Sequence, residues 1–201
     1  MNTPDPTRLM PRYLRTICLV LAVMTALGAA QLAAQGTPAT GGRVKVKAGV
    51  KFGMMYASRF RIAGVVSETG TGLSGGVLFD APVSRRFLYG VALDLHDLHV
   101  FEARKKMLDL SLPLKYAFPF EENDWELRIV AAAGFGYHTQ VDILERCSYL
   151  TIKGGIEAVF HGDTRFSLVT DLLVLAAPIG GNRQHRVTYG PGLIARIGFI
   201  Y

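Results

Sequence analysis

From Val44 to Tyr56 the sequence alternates for thirteen residues without a break. Val44, Val46, Ala48, Val50, Phe52, Met54 and Tyr56 fall on one side, and Lys45, Lys47, Gly49, Lys51 and Gly53 on the other. A period of two is what a β-strand with unlike faces requires. The run is too long for an ordinary strand, whose mode is about five or six residues. It suits a tilted strand crossing a bilayer, which needs about 9–11 residues. The same alternation ends the chain, with Leu193, Ala195, Ile197, Phe199 and Tyr201 set against Ile194, Arg196, Gly198 and Ile200. Chain ends ordinarily fray in water. A last strand of this kind is therefore expected to be held on both sides, closing a barrel with the first.

The pattern recurs eight times, near 43–56, 72–81, 87–98, 106–118, 125–138, 148–160, 165–177 and 187–201. No stretch after residue 42 has a helical period. The expected fold class is all-β: an eight-stranded antiparallel up-and-down transmembrane β-barrel, the strand number being even as bacterial single-chain barrels require. The connections after the second, fourth and sixth strands are short: APVSRR, PFEEND and HGDT. Those after the first, third, fifth and seventh tend to be longer. The longest, residues 57–71, reads as a loop. Both termini then fall on the short-turn, periplasmic side.

The N-terminus reads as an export signal. Arg8, Arg12 and Arg15 precede an apolar run from Ile17 to Ala30, with small residues after it. A basic region, a short apolar region and a small-residue exit define a secretory signal peptide. The expected organisation is a cleavable signal peptide at 1–34, a flexible lead-in at 35–42 and the barrel at 43–201. The signal carries a net +2 (three Arg against Asp5), so its removal leaves about +4 of the formal +6. No basic cluster with interleaved aromatics remains, which argues against a nucleic-acid partner. Cys18 leaves with the signal, so Cys147 has no partner for an internal disulfide.

Alternation alone does not say which face is inside. A soluble lipocalin-like barrel turns its apolar face inward around a greasy ligand. A membrane barrel turns that face to lipid and keeps the polar face in the lumen. The aromatics favour the second. Phe79, Phe87, Phe118, Trp125, Phe160, Phe166, Phe199 and Tyr201 fall at the turn-side strand ends of the apolar face, and Tyr56, Tyr137 and Tyr189 at the loop-side ends. Two aromatic girdles at interface height suit a bilayer. The polar face carries Lys45, Lys47, Lys51, Lys115, Arg128, Lys153 and Arg196 against Asp80, Asp94, Asp109, Glu126, Glu157 and Asp171. An eight-stranded barrel is just filled by its side chains, so these charges are expected to pair and close the lumen.

The stretches VKAGVKFG, LDLSLPLKYAF, AAAGFGYH and GLIARIGFIY resemble the small outer-membrane β-barrel domain family, the porin-family or PorT-like proteins, and more distantly the OmpA/OmpX-type barrels. The resemblance implies an integral outer-membrane protein of a Gram-negative-type bacterium, in contact with lipid and lipopolysaccharide and inserted by the barrel assembly machinery. The aromatic last residue resembles the insertion signal of such barrels. A structural or loop-mediated interaction role is expected, in a monomer, without cofactor or metal. The alternatives are a narrow passive channel, a soluble lipocalin-like barrel and an outer-membrane lipid-modifying enzyme.

Candidate catalytic residues are few. In DLHDLH, residues 94–99, Asp94 and His96 share a face, whereas His96 and His99 point oppositely and suit shared metal ligation poorly. His138 is followed by Thr139 and Gln140, without the His-x-Ser pattern of lipid A deacylase-type barrels. Arg183, His185 and Arg186 are loop cations able to meet lipopolysaccharide phosphates. No catalytic set is complete, and no enzymatic activity is expected.

Overall fold

A computed structural model of the chain describes residues 46–56, 58–62, 64–100, 103–120, 124–138, 147–162, 165–182 and 185–201. Residues 1–45, with the signal, the lead-in and Lys45, lie outside the described residues. So do Thr139, Gln140 and Arg183.

The described chain is built from antiparallel strands: β1 (Lys47–Tyr56), β2 (Ser58–Ile62), β3 (Val65–Thr69), β4 (Gly72–Pro82), β5 (Phe87–Val100), β6 (Ala103–Pro119), β7 (Trp125–His138), β8 (Cys147–His161), β9 (Ser167–Gly181) and β10 (Val187–Ile200). β1 and β4 to β10 each pair with the next, and β10 returns to β1, so eight strands close into a barrel. Closure reaches the last residue. Tyr201 N donates to Ala48 O at 2.7 Å, and Ala48 N donates to Tyr201 O at 3.0 Å.

The 57–71 segment is a correction to the sequence reading. It is the top of one long hairpin. β1 and β4 pair up to Met55↔Gly72, and β2 and β3 resume three residues later on each strand, at Ser58↔Thr69, with no offset. The hairpin turns at Gly64, whose φ of +90° suits glycine. The Gly, Ser and Thr near its end read as loop, but Phe60 and Ile62 alternating with Arg59 and Arg61 carried the strand signal. The connection after β5 differs likewise. β5 runs on to Val100 and β6 starts at Ala103, so two residues connect them, as between β2 and β3.

Two bulges shape the loop end. Gly190 and Pro191 on β10 together face Ala176, and Ala177 and Pro178 on β9 together face Thr151. Proline is tolerated where the ladder is already interrupted. A one-residue bulge exchanges the faces of the strand beyond it. On β10 the even residues Gly192 to Ile200 point inward below the bulge, and Val187 and Tyr189 above it. Tyr189 is therefore not on the outer girdle. It is buried inside the barrel mouth, against Phe60.

The outer surface is apolar around the circumference. Phe52, Leu73, Leu114, Ile129, Ile156, Val174 and Ile197, each on a different strand, are between 43% and 66% exposed. From Trp125 to Phe135 on β7 the outward positions stay apolar. Ten residue steps of about 3.3 Å, tilted by about 40°, make a band about 25 Å tall.

The interior is layered. At the loop end Met55, Phe60, Met107, Cys147, Tyr149, Leu175, Val187 and Tyr189 form an apolar plug. At the turn end Leu78, Val159, Val169 and Ile200 form a second. Most of the charged residues lie between them, while Asp80 stands nearer the turn end than Leu78 and Glu126 lies level with Val159. Glycines make space for this layer. A Cβ on Gly90 would meet Asp80 Oδ1 and Phe79 O, each at 2.5 Å. Gly90→Val is expected to push Asp80 out of place and lower stability by about 1–3 kcal/mol, read as a lower urea midpoint for the barrel in lipid vesicles.

Candidate functional site

Strand alternation places Lys51 on β1, Asp80 on β4, Asp94 and His96 on β5, Asp109 and Lys115 on β6, Arg128 on β7, Lys153 and Glu157 on β8, Asp171 on β9 and Arg196 on β10 in the lumen, all buried. Glu157 is one hub. It accepts from Lys51, from Lys115 at 3.0 Å and from Arg128 Nη1 at 2.9 Å. Lys115 also donates to Asp80 at 2.6 Å, and Arg128 to Glu126. Asp171 joins this group to its neighbour. It accepts from Lys51 at 2.9 Å and from both Nε and Nη2 of Arg196, at 3.1 and 2.8 Å. Arg196 Nη1 reaches Asp94 at 2.5 Å. Lys153 bridges Asp94 and Asp109, and Thr151 donates to Asp109 at 2.5 Å.

Five buried cations thus face five buried anions in one connected array, with Glu126 and Lys47 half-buried at its edge. Glu126 Oε2 lies 3.3 Å from His161 Nε2, and His161 Nδ1 lies 3.0 Å from Ser167 Oγ. Burying so many charges is tolerable only with every charge paired. The residual cavity in the layer is about 30 Å³, lined by Lys51, Asp94, Lys115, Lys153, Glu157 and Arg196 among others. That is space for a water molecule or two.

Asp94 and Asp109 sit directly opposite each other across β5 and β6, a repulsive arrangement unless a cation lies between them. A ring nitrogen of His96 and oxygens of both aspartates lie within 4.8 Å of one another. One imidazole and two carboxylates could serve a first-row metal, but the Lys153 ammonium already holds the place between the carboxylates. His96 Nδ1 is 3.0 Å from Ser74 Oγ. The residues fit an ion-pair layer better than a metal centre.

The other candidate residues are dispersed. The side chain of His99 lies outside the described residues. His138 is in the loop-end plug, its Nδ1 3.3 Å from Tyr149 Oη and its ring 6.1 Å from Phe60. It faces inward, away from any outer-face position. His185 and Arg186 are exposed beyond the end of β9.

Many of the turn-side aromatics pack on one another. Phe87 packs on Tyr116 and Tyr116 on Phe118, Trp125 packs on Phe160, and Phe166 on Tyr201. Phe79 and Phe199 lie exposed on the same face. At the loop end only Tyr56 and Tyr137, of the three tyrosines expected there, face outward. The sequence reading omitted Tyr116 from the girdle and missed the whole apolar plug. Tyr116 shares the outward parity of Leu114 and Phe118, so the signal was present. Of the plug, only Val187 and Tyr189 lie beyond the β10 bulge and escape the period of two; Met55, Met107, Cys147, Tyr149 and Leu175 share the inward parity of Lys51, Asp109, Lys153 and Asp171, so their signal was present too.

No family model matches the sequence, and no curated protein matches it. Solved structures do match. Neisserial surface protein A (NspA) aligns at a TM-score of 0.57 with 8% identity, over 77% of this chain and 95% of that one. The outer membrane protein OprG from Pseudomonas aeruginosa aligns at 0.55 with 9% identity, over 80% of this chain and 98% of that one. At this identity the likeness is one of fold, that of the small eight-stranded outer-membrane barrel.

Proposed function

We propose that the chain is an integral outer-membrane β-barrel protein, exported by residues 1–34, with a closed lumen and a structural or loop-mediated interaction role. The observation that carries this reading is the inversion of the barrel. Apolar side chains cover the outside and paired charges fill the inside. A soluble ligand-binding barrel needs the reverse. Soluble monomers rarely expose apolar patches beyond a few hundred Å², whereas here apolar residues project outward from each of the eight barrel strands. The two fold neighbours, a neisserial surface protein and an outer membrane protein of Pseudomonas aeruginosa, support the location.

The pairing of the lumen charges favours a closed lumen over the channel alternative. Apolar clusters stand toward both ends of the lumen and, among the described residues, every buried Lys, Arg, Asp and Glu is ion-paired, so a permeating ion would have to break those pairs. The partners of such a barrel are the bilayer lipids, lipopolysaccharide and, during insertion, the barrel assembly machinery. Eight strands closed on themselves need no second copy, which fits a monomer.

The test is fractionation followed by electrophoresis with and without boiling. The protein is expected in the outer membrane, compact when unheated and shifted after boiling. Its N-terminus should begin near residue 35, and purified protein in planar bilayers should give no stepwise conductance. Recovery from the soluble periplasm without a shift would overturn the proposal.

A further inference from the structure

The loop end of the lumen holds groups that apolar packing does not require. The registers set Ser74, His96, Met107, His138 and Cys147 opposite one another, in one row across β4, β5, β6, β7 and β8. All five are buried. Met107, His138 and Cys147 are consecutive in the row, so an imidazole stands between a thioether and a thiol. Directly opposed residues hold their Cβ atoms about 4.5–5.5 Å apart, close enough for neighbouring side chains to share one ion.

Two details draw the donor atoms together. Tyr149, the next inward residue after Cys147 on β8, sets its Oη 3.3 Å from His138 Nδ1, and the same hydroxyl hydrogen-bonds Cys147. With Nδ1–H donating to that hydroxyl, the lone pair of His138 is on Nε2, the arrangement of a metal-ligating histidine held by an outer partner. Gly136 lies opposite Tyr149. A Cβ there would stand 3.5 Å from Met107 Sδ and 3.6 Å from Tyr149 Cβ, so the thioether leans across β7 toward β8 through the space that glycine leaves. Next along the row, His96 turns Nδ1 to Ser74 at 3.0 Å, and its buried Nε2 meets no hydrogen-bond partner among the described residues.

The donor set selects its ion. Thioether and thiolate sulfur are soft ligands that favour copper(I), whereas hard cations prefer oxygen. Charge selects likewise. A thiolate cancels a monovalent cation and leaves the site neutral among apolar side chains, but a divalent ion would keep a buried positive charge. Asp94 and Asp109 are not there to offset it, because Lys153 and Arg196 hold them.

We propose that Met107, His138 and Cys147 bind copper(I), or another soft monovalent cation, in the loop end of the lumen. Binding forms a metal–sulfur bond and breaks the Cys147 S–H bond. The proton passes to the buffer and no electron is transferred. No single strand carries this set, because the row is made by register across β6, β7 and β8. The site needs only the closed barrel and its register, so it goes beyond the structural role proposed above and does not depend on it.

Folded protein in detergent, kept anaerobic with ascorbate, is titrated with copper(I) against the chromophoric chelator bicinchoninate. One equivalent is expected to be withdrawn from the chelator, and the urea midpoint to rise as it binds. Cys147→Ala is expected to weaken binding about a hundredfold and to abolish the rise. Met107→Leu, which keeps the volume, should weaken it about tenfold. Met54→Leu, on the exposed outer face, should change neither. Undiminished binding by Cys147→Ala would overturn the site, as would equal loss in Met54→Leu and Met107→Leu. Preference for zinc(II) over copper(I) would overturn the ion class. The boiling-dependent gel shift of each variant separates these outcomes from failure of the barrel itself. A protein that shifts but takes up no copper(I) loses only this inference.

Discussion

Replacing Glu157 with Leu is expected to cost more stability than any other single change inside the barrel. Its carboxylate holds Lys51, Lys115 and Arg128 together at one point. All three are buried in the barrel interior, away from bulk water. Removing one partner of a buried ion pair costs about 3–5 kcal/mol, since the charge left behind keeps its desolvation penalty and loses its compensation. Lys115 retains Asp80 and Lys51 retains Asp171, so the loss is expected in the lower part of that range. Glu126→Gln provides the internal comparison. Glu126 also contacts Arg128 but is partly open to solvent at the edge of the layer, so its loss should cost about 1 kcal/mol or less. Urea unfolding in lipid vesicles reads both. Equal midpoints for the two variants would mean that the charged layer is hydrated and exchanging with water, and that the lumen is not closed.

The fold was legible because a barrel wall repeats one rule. Each position on Lys47–Tyr56 or Trp125–His138 goes in or out by parity alone, and parity survives as long as the ladder is regular. The strands near 125–138 and 148–160 were accordingly placed almost to the residue, against Trp125–His138 and Cys147–His161. Legibility fails where parity is broken. Tyr189 was assigned to the outer face by counting back from Tyr201 in twos, but the count crosses Gly190-Pro191, where two residues occupy one place in the ladder. The 57–71 segment failed for a different reason. Its strands β2 and β3 rise above the barrel and bury only part of one face, so their composition is that of exposed hairpins. The charged layer poses a third limit. Alternation puts Asp94, Asp109 and Lys153 on one face each, but only the stagger of β5, β6 and β8 around the barrel brings the ammonium between the two carboxylates. A tilt is a property of the closed sheet, and no single strand encodes it.

The assignment of lipid to the outer face leads to a second large effect, one whose sign decides the question. Ile156 points outward near the middle of β8, between Leu150 toward the loop end and Phe160 at the turn-side girdle, and it pairs with Leu172. It is 46% exposed. In a bilayer, Ile156→Arg places a guanidinium near the midplane, at a cost of about 2–4 kcal/mol. Val83→Arg, in the short turn after β4 and 40% exposed, should cost about 0–1 kcal/mol, because an interfacial charge reaches water. In a soluble barrel both positions would face water, and exchanging an exposed Ile for Arg would be neutral or favourable. A bilayer therefore predicts a large difference between the two variants, and water predicts none. Unfolding in phospholipid vesicles, with the boiling-dependent gel shift as the check on folding, is expected to show a steep loss for Ile156→Arg and almost none for Val83→Arg. A depth dependence of that kind cannot arise from the chain alone, since both residues are exposed to similar degrees. It requires a surrounding medium that is dry at the middle of the band and wet at its edge.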